Sequence, residues 1–191
     1  TGSNATLGHG LSQAPNLVYI KGNNIATNWV CSATPLGFSK FWKMNVTDVP
    51  SSNSGMFQDT APSSSVITIG TDGSVNSASG KTYVAYYWHE IDGYCSIGSY
   101  EGNGNADGPF VFCGFRPAYV WVKLIDTHNY TQVQFDAYRN PYNAVNYYFY
   151  LDSAAAETND GSGNFDILSN GFKLRDASYN NNYNNLTYIY Y

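Results

Sequence analysis

Charge is what this chain has least of. Only 12% of its 191 residues are Asp, Glu, Lys or Arg, about half the usual share for a soluble domain. The nine basic residues are scattered and the net charge is −5. Phosphate contacts need clustered Lys and Arg, so a nucleic-acid partner is excluded on this ground. Long apolar runs are missing as well. No stretch approaches the roughly 18 apolar residues of a membrane helix, and no membrane insertion is expected. The three cysteines, Cys31, Cys95 and Cys113, have no metal-ligand spacing and leave at least one thiol unpaired. They read as buried thiols acting as small hydrophobes, with a single bridge left open. Helix signals are nearly absent: Asp152-Ser153-Ala154-Ala155-Ala156-Glu157 has the composition for a turn or two and no more.

Catalytic signatures are also scarce. His9, His89 and His128 show no zinc spacing, and His89-Glu90 reads as the satisfied end of a strand. There is no Gly-x-Ser-x-Gly elbow and no phosphate-binding loop. Asn103-x-Asn105-x-Asp107-Gly108 looks like the front half of a calcium loop, but its twelfth position falls on Gly114 where a Glu is needed. We read it as a Gly/Asn turn, and Asp160-Gly161-Ser162-Gly163-Asn164 likewise. No cofactor or metal is expected. Four Asn-x-Ser/Thr sequons, at Asn4, Asn45, Asn129 and Asn185, are about what so Asn-, Ser- and Thr-rich a composition yields by chance.

What the chain does have is repetition. Pro15-Asn16-Leu17-Val18-Tyr19-Ile20-Lys21 returns as Pro117-Ala118-Tyr119-Val120-Trp121-Val122-Lys123, each copy preceded by a Gly and a large apolar residue (Gly10-Leu11, Gly114-Phe115). Lys81-Thr82-Tyr83-Val84-Ala85-Tyr86 returns as Leu186-Thr187-Tyr188-Ile189-Tyr190-Tyr191. Alternation of period two makes these strands. Val18, Ile20, Val120 and Val122 share the inner face; Leu17, Tyr19 and Lys21, with Tyr119, Trp121 and Lys123, take an outer or semi-exposed one. Val66-Ile67-Thr68-Ile69 before Asp72-Gly73 is matched to Phe165-Asp166-Ile167-Leu168 before Asn170-Gly171. Both are read as hairpins returning through a short strand, Ser74-Val75-Asn76 or Phe172-Lys173-Leu174. Trp29-Val30-Cys31, Lys40–Met44, Val133–Phe135 and Tyr147–Tyr150 are further strands. The expected fold is all-β, an antiparallel β-sandwich or jelly-roll-like architecture built from two similar repeats. The repeats span 1–97 and 109–191, joined by a Gly/Asn-rich segment at 98–108. The opening Thr1–Thr6 resembles the later part of that joiner, and the last match stops at Tyr191. We therefore expect two units of a longer array.

Aromatic residues carry the remaining signal. Eighteen Tyr, ten Phe and four Trp offer rigid, amphipathic contact area at low entropy cost, suited to glycan stacking or subunit contact. Tyr142, Tyr147, Tyr148, Tyr179 and Tyr183 lie in or beside Asn-rich loops and are the candidate ligand-binding residues. The uncharged strand Thr187, Tyr188, Ile189, Tyr190 and Tyr191 reads as a sticky edge that needs a partner, and is the candidate assembly edge.

The stretches Gly98-Ser99-Tyr100-Glu101-Gly102-Asn103-Gly104, Gly114-Phe115-Arg116-Pro117-Ala118 and Leu168-Ser169-Asn170-Gly171-Phe172-Lys173-Leu174 resemble a repeat domain of large structural proteins in tailed bacteriophages. Marine and cyanobacterial phages carry it in proteins described as tail-fibre-like or virion structural. The resemblance covers most of the chain and brings no catalytic residue with it. It implies a virion surface protein, extracellular, of the tail-fibre or adhesin kind. Its partners would be other copies of itself (a homo-oligomer, with a trimer among the options), other virion proteins, and host-surface polysaccharide. A purely structural capsid decoration or filament subunit ranks second. A polysaccharide depolymerase ranks third, since spacing along a chain does not reveal paired carboxylates.

Overall fold

The computed structural model describes residues 2–78, 80–126, 130–159, 161 and 164–191. His128, the sequon at Asn129 and most of the Asp160–Gly163 turn lie outside the described residues. Two compact units emerge, the first from Thr1–Asn45 and Pro50–Glu90, the second from Val46–Val49 and Ile91–Tyr191.

In the first unit, β2 (Leu17–Gly22) lies in a five-stranded antiparallel sheet of order β5-β4-β3-β2-β7. Its neighbours are β3 (Val30–Ala33), β4 (Lys40–Lys43), β5 (Ser51–Ser52) and β7 (Tyr83–Trp88). A two-stranded ladder of β1 (Ala5–Gly8) and β6 (Val66–Ile69), with the helical turns α1 (Ser54–Phe57) and α2 (Gly73–Asn76), supplies the other layer. Val18, Ile20, Val30 and Phe41 meet Phe57, Ile67, Ile69 and Val75 in the core between them.

The second unit is a fuller sandwich. Its six-stranded sheet has the order β13-β12-β11-β10-β16-β8, from β8 (Gly98–Glu101), β10 (Tyr119–Leu124), β11 (Val133–Asp136), β12 (Tyr147–Tyr150), β13 (Thr158–Asn159) and β16 (Thr187–Tyr190). A three-stranded sheet of β9 (Phe110–Phe112), β14 (Phe165–Leu168) and β15 (Gly171–Leu174) packs on it. The core joins Val120, Val122, Phe135, Tyr148 and Tyr188 of the first sheet to Phe165, Ile167, Phe172 and Leu174 of the second. Phe165 and Phe172 stack at 4.7 Å, Phe165 and Phe135 at 4.6 Å. An all-β antiparallel sandwich is what the alternation predicted.

The two units agree pair by pair. Ile20 faces Ala85 as Val122 faces Tyr190, and Gly22 faces Tyr83 as Leu124 faces Tyr188. Ile20 also faces Val30 as Val122 faces Val133, and Cys31 faces Trp42 as Gln134 faces Phe149. A buried asparagine recurs at the same place. Asn76 donates to Ser3 O (2.6 Å) and Gly70 O (2.9 Å); Asn182 donates to Asn105 O (2.9 Å) and Asp176 O (2.6 Å). Gly2 and Gly104, at φ +69° and +63°, occupy matching places beside these clamps, where a left-handed backbone favours glycine.

Several expectations are corrected by this geometry. Asp72-Gly73 makes no hairpin: the Asp72 side chain accepts the Ser74 N–H at 2.8 Å and caps α2, so Ser74-Val75-Asn76 is helical. The counterpart of β6 is β15 rather than Phe165–Leu168, because Leu7 faces Ile67 as Val111 faces Phe172. Asp152–Glu157 forms no helix; Asp152 instead accepts the Gln132 N–H. Gly98–Glu101, placed in the joiner, is a strand of the second unit. The outer faces are mostly buried too: Leu17, Tyr19, Trp121 and Lys123 are each under 9% exposed, and only Tyr119 is open. The terminal strand is no edge, since β16 is hydrogen-bonded to β10 on one side and β8 on the other. None of the three cysteines is in a disulfide among the described residues; Cys31 is buried and the other two are half-buried.

Candidate functional site

After β15 the chain turns through an Asn-rich loop before entering β16. Asn182 is the post around which this loop winds. Its amide donates to Asn105 O and Asp176 O, while its carbonyl oxygen accepts the Asn103 N–H at 2.9 Å. Ser178 O accepts the N–H groups of Asn181 and Asn182, which tightens the loop into a single turn. Tyr188, fully buried on β16, reaches up from the core. Its hydroxyl donates to Tyr179 O (2.9 Å) and accepts the Tyr183 N–H (2.9 Å). Two surface tyrosines are thus held at their backbones by one core tyrosine.

Their rings stack. Tyr179 and Tyr183 lie 3.5 Å apart between centroids at 14°, and Tyr130 covers the other face of Tyr179 at 4.5 Å and 1°. Thr131 donates to Asn180 Oδ1 at 3.0 Å, fastening the segment that carries Tyr130 to the same loop. Tyr179 and Tyr183 are 37% and 36% exposed. The hydrogen bond with Tyr183, more than burial, pushes the Tyr179 hydroxyl up to about 12. The result is a short column of aromatic faces bordered by carboxamides and hydroxyls. Such a surface stacks on the apolar face of a pyranose and hydrogen-bonds its equatorial hydroxyls.

The five tyrosines expected to bind ligand therefore divide. Tyr179 and Tyr183 come together. Tyr142 is 82% exposed on the connection between β11 and β12. Tyr147 is half-buried on β12, and Tyr148 belongs to the core, packed on Phe135 at 5.7 Å. Tyr130 and the highly exposed Tyr138 were missed, because neither sits in an Asn-rich run or an alternating segment.

The other polar groups have structural duties. Asn103 Oδ1 and Asn105 Oδ1 accept the N–H groups of Asn105 and Asp107, so they close turns. Asp107 ion-pairs with Lys173 at 2.8 Å, and that hydrogen bond and charge hold its carboxyl below the usual range. Asp136 and Glu157 do approach one another, but Arg139 bridges both at 2.8 Å and lies 3.9 Å over the Phe149 ring. Gln13 donates to both His89 Nδ1 and Glu90 O, closing a loop. Lys123 is buried with its Nζ donating to Thr47 O at 3.4 Å. Burial pushes it down to about 8 against the pull of Asp152 and Asp48.

These shifts predict the alkaline response of the fold. Burial raises the hydroxyls of Tyr100, Tyr188 and Tyr191 above the ordinary phenol value of 10.0. Above that value the unfolded chain has lost protons that the folded chain keeps. The contribution is therefore complete below pH 10 and lost as pH climbs further. Lys123 acts with the opposite sign between about 8 and 10.5, where the unfolded chain still holds its proton. Urea midpoints are expected to hold or rise slightly from pH 8 to 10. They should then fall steeply toward pH 12, in step with tyrosinate absorbance.

No curated protein and no solved structure matches the chain. A family model does match, over residues 1–191, and its description is a domain of unknown function, DUF7483. A match of that extent means that the chain belongs to the DUF7483 family.

Proposed function

We propose that this chain is a surface β module of the tail-fibre or adhesin kind on a phage virion, and that the Tyr130–Tyr179–Tyr183 column contacts host-surface glycans. One observation carries the glycan reading. The first unit contains the same loop, capped by Tyr83 in the way Tyr188 caps the second: Tyr83 donates to Gly73 O and accepts the Ser77 N–H. Gly73 and Ser77 thus stand where the second unit has Tyr179 and Tyr183. The fold closes this loop without aromatic rings, so the rings are an addition that stability does not demand. The low charge of the chain suits a neutral ligand held by stacking and hydrogen bonds rather than by ion pairs.

Glycan-array binding followed by calorimetry tests this. Tyr183→Ala and Tyr179→Ala are expected to weaken binding about tenfold or more each, with urea midpoints nearly unchanged because the backbone groups that Tyr188 holds remain. A wild-type chain that binds no glycan, or variants that bind as tightly as wild type, would remove the proposal.

A further inference from the structure

The three-stranded sheet of the second unit, β14-β15-β9, treats its two edges differently. Along β14 the outward backbone groups are taken. Asn143 accepts the Ile167 N–H at 3.0 Å and donates to Ile167 O at 3.0 Å. Arg116 donates to the same oxygen at 2.8 Å, and Val145 bridges to Phe165. Along β9, no strand of the described residues pairs on the side away from β15. The directions of its backbone groups follow from register. Leu174 N–H donates to Pro109 O and Cys113 N–H to Asn170 O, so Pro109, Val111 and Cys113 turn their backbone groups to β15. Phe110 and Phe112 turn theirs outward.

The counterpart of β9 is β1, and no strand of the described residues pairs with β1 on the side away from β6. The first unit is followed by another and the second is preceded by one, yet neither sends a strand to this edge. Matching the units therefore assigns no segment of the repeat to it. The two edges part in their side chains. β1 presents Thr6 and Gly8 where β9 presents Phe110 and Phe112, 44% and 65% exposed. Val111 turns into the core between them, while the Phe110 ring lies against Gly171 on the outer face. The ladder forms in the first unit without rings at these places, so the fold does not require them.

We infer that the free edge of β9 is an interface between two copies of this chain, paired β9 to β9 antiparallel about a twofold axis at Val111. The edge is complementary to itself. With Val111 opposite Val111, Phe110 of each copy faces Phe112 of the other, and each such pair exchanges both of its N–H···O bonds. The rings meet across the seam on the outer face, where cross-strand aromatic pairs stabilise a sheet. A slip of two residues either way would set a Phe against Gly108 or Gly114, so the register is fixed. Residues 108–115 carry no charge, and two chains of net charge −5 bring no like charges together there. The contact is at the small end of interface sizes. Free chains should therefore pair weakly, and more firmly where copies are held side by side.

Sedimentation of the 191-residue chain should show monomer passing to dimer as concentration rises. At the dimer concentration, amide exchange should slow at Phe110 and Phe112 and stay unchanged at Thr6 and Gly8. Phe112→Lys, at a well-exposed position, should leave the urea midpoint alone and weaken the dimer about tenfold or more. Register is read by mixing Phe110→Cys with Phe112→Cys under mild oxidation and locating the new bond by peptide mass. The paired Cα atoms would lie about 5.5 Å apart, within disulfide reach. The mixed disulfide should then form well ahead of either variant's disulfide with itself. A chain that stays monomeric even at millimolar concentration would overturn the inference. So would a dimer indifferent to Phe112→Lys, a mixed disulfide no faster than the self-disulfides, or slowed exchange at Thr6 and Gly8 in place of Phe110 and Phe112.

Discussion

Asn182→Ala is expected to destabilise the second unit by about 3–5 kcal/mol, read as a lower urea midpoint with an unchanged slope. The side chain is fully buried, and removing it strands three backbone groups at once. The carbonyls of Asn105 and Asp176 lose their donor, and the Asn103 N–H loses its acceptor. Each orphaned group costs about 1–3 kcal/mol where water cannot reach it, and the small cavity left by the carboxamide adds to this. Asn182→Asp keeps the shape but turns an acceptor oxygen toward two carbonyls, so it should be at least as damaging. Asn184→Ala, two residues on and exposed, should shift the midpoint by less than about 0.5 kcal/mol. The stacked tyrosine column should loosen together with the clamp, since Tyr179 and Tyr183 hang on the loop that Asn182 holds.

That clamp was invisible in the sequence, one Asn among many in Tyr179–Asn185. Composition marks a loop as Asn-rich, but which amide is buried depends on which carbonyls converge on it, and those come from Asn105 and Asp176. The strand pairing was far more legible. The matched runs at Pro15–Lys21 and Pro117–Lys123, and at Thr82–Tyr86 and Thr187–Tyr191, reappear as equivalent ladders without a residue of slip. Period two tells faces apart reliably but says nothing about a strand's place in a sheet. An uncharged Thr187–Tyr191 fits an open edge and a central strand equally well, because both lack charge for reasons that sequence does not distinguish. Lys123 misled in a related way. Lysine reads as a mark of solvent, yet Lys123 is buried while its Nζ reaches a carbonyl.

The sharpest contrast within one sequence pattern concerns two glycines, and it yields a large expected effect. Asp72-Gly73 and Asn170-Gly171 look alike on paper, each a polar residue and a glycine after a strand. Neither glycine has positive φ, so neither is there to make a left-handed turn. Gly73 opens α2, and an added Cβ meets nothing within 4 Å. Gly73→Ala is therefore expected to leave stability unchanged or raise it by up to about 1 kcal/mol through helix propensity. Gly171 opens β15 directly beneath β9, where an added Cβ would sit 2.0 Å from Val111 O and 3.0 Å from Val111 C. No rotamer relieves a clash with backbone. The β9–β15 ladder must part, taking buried Val111 away from the core and exposing more of Phe110 and Phe112. Gly171→Ala is expected to cost about 3 kcal/mol or more. Hydrogen exchange should speed up along β9 and β15, while β10 and β11 keep their protection. Equal and small shifts for the two alanine variants would mean that β9 is not pinned to β15 in solution.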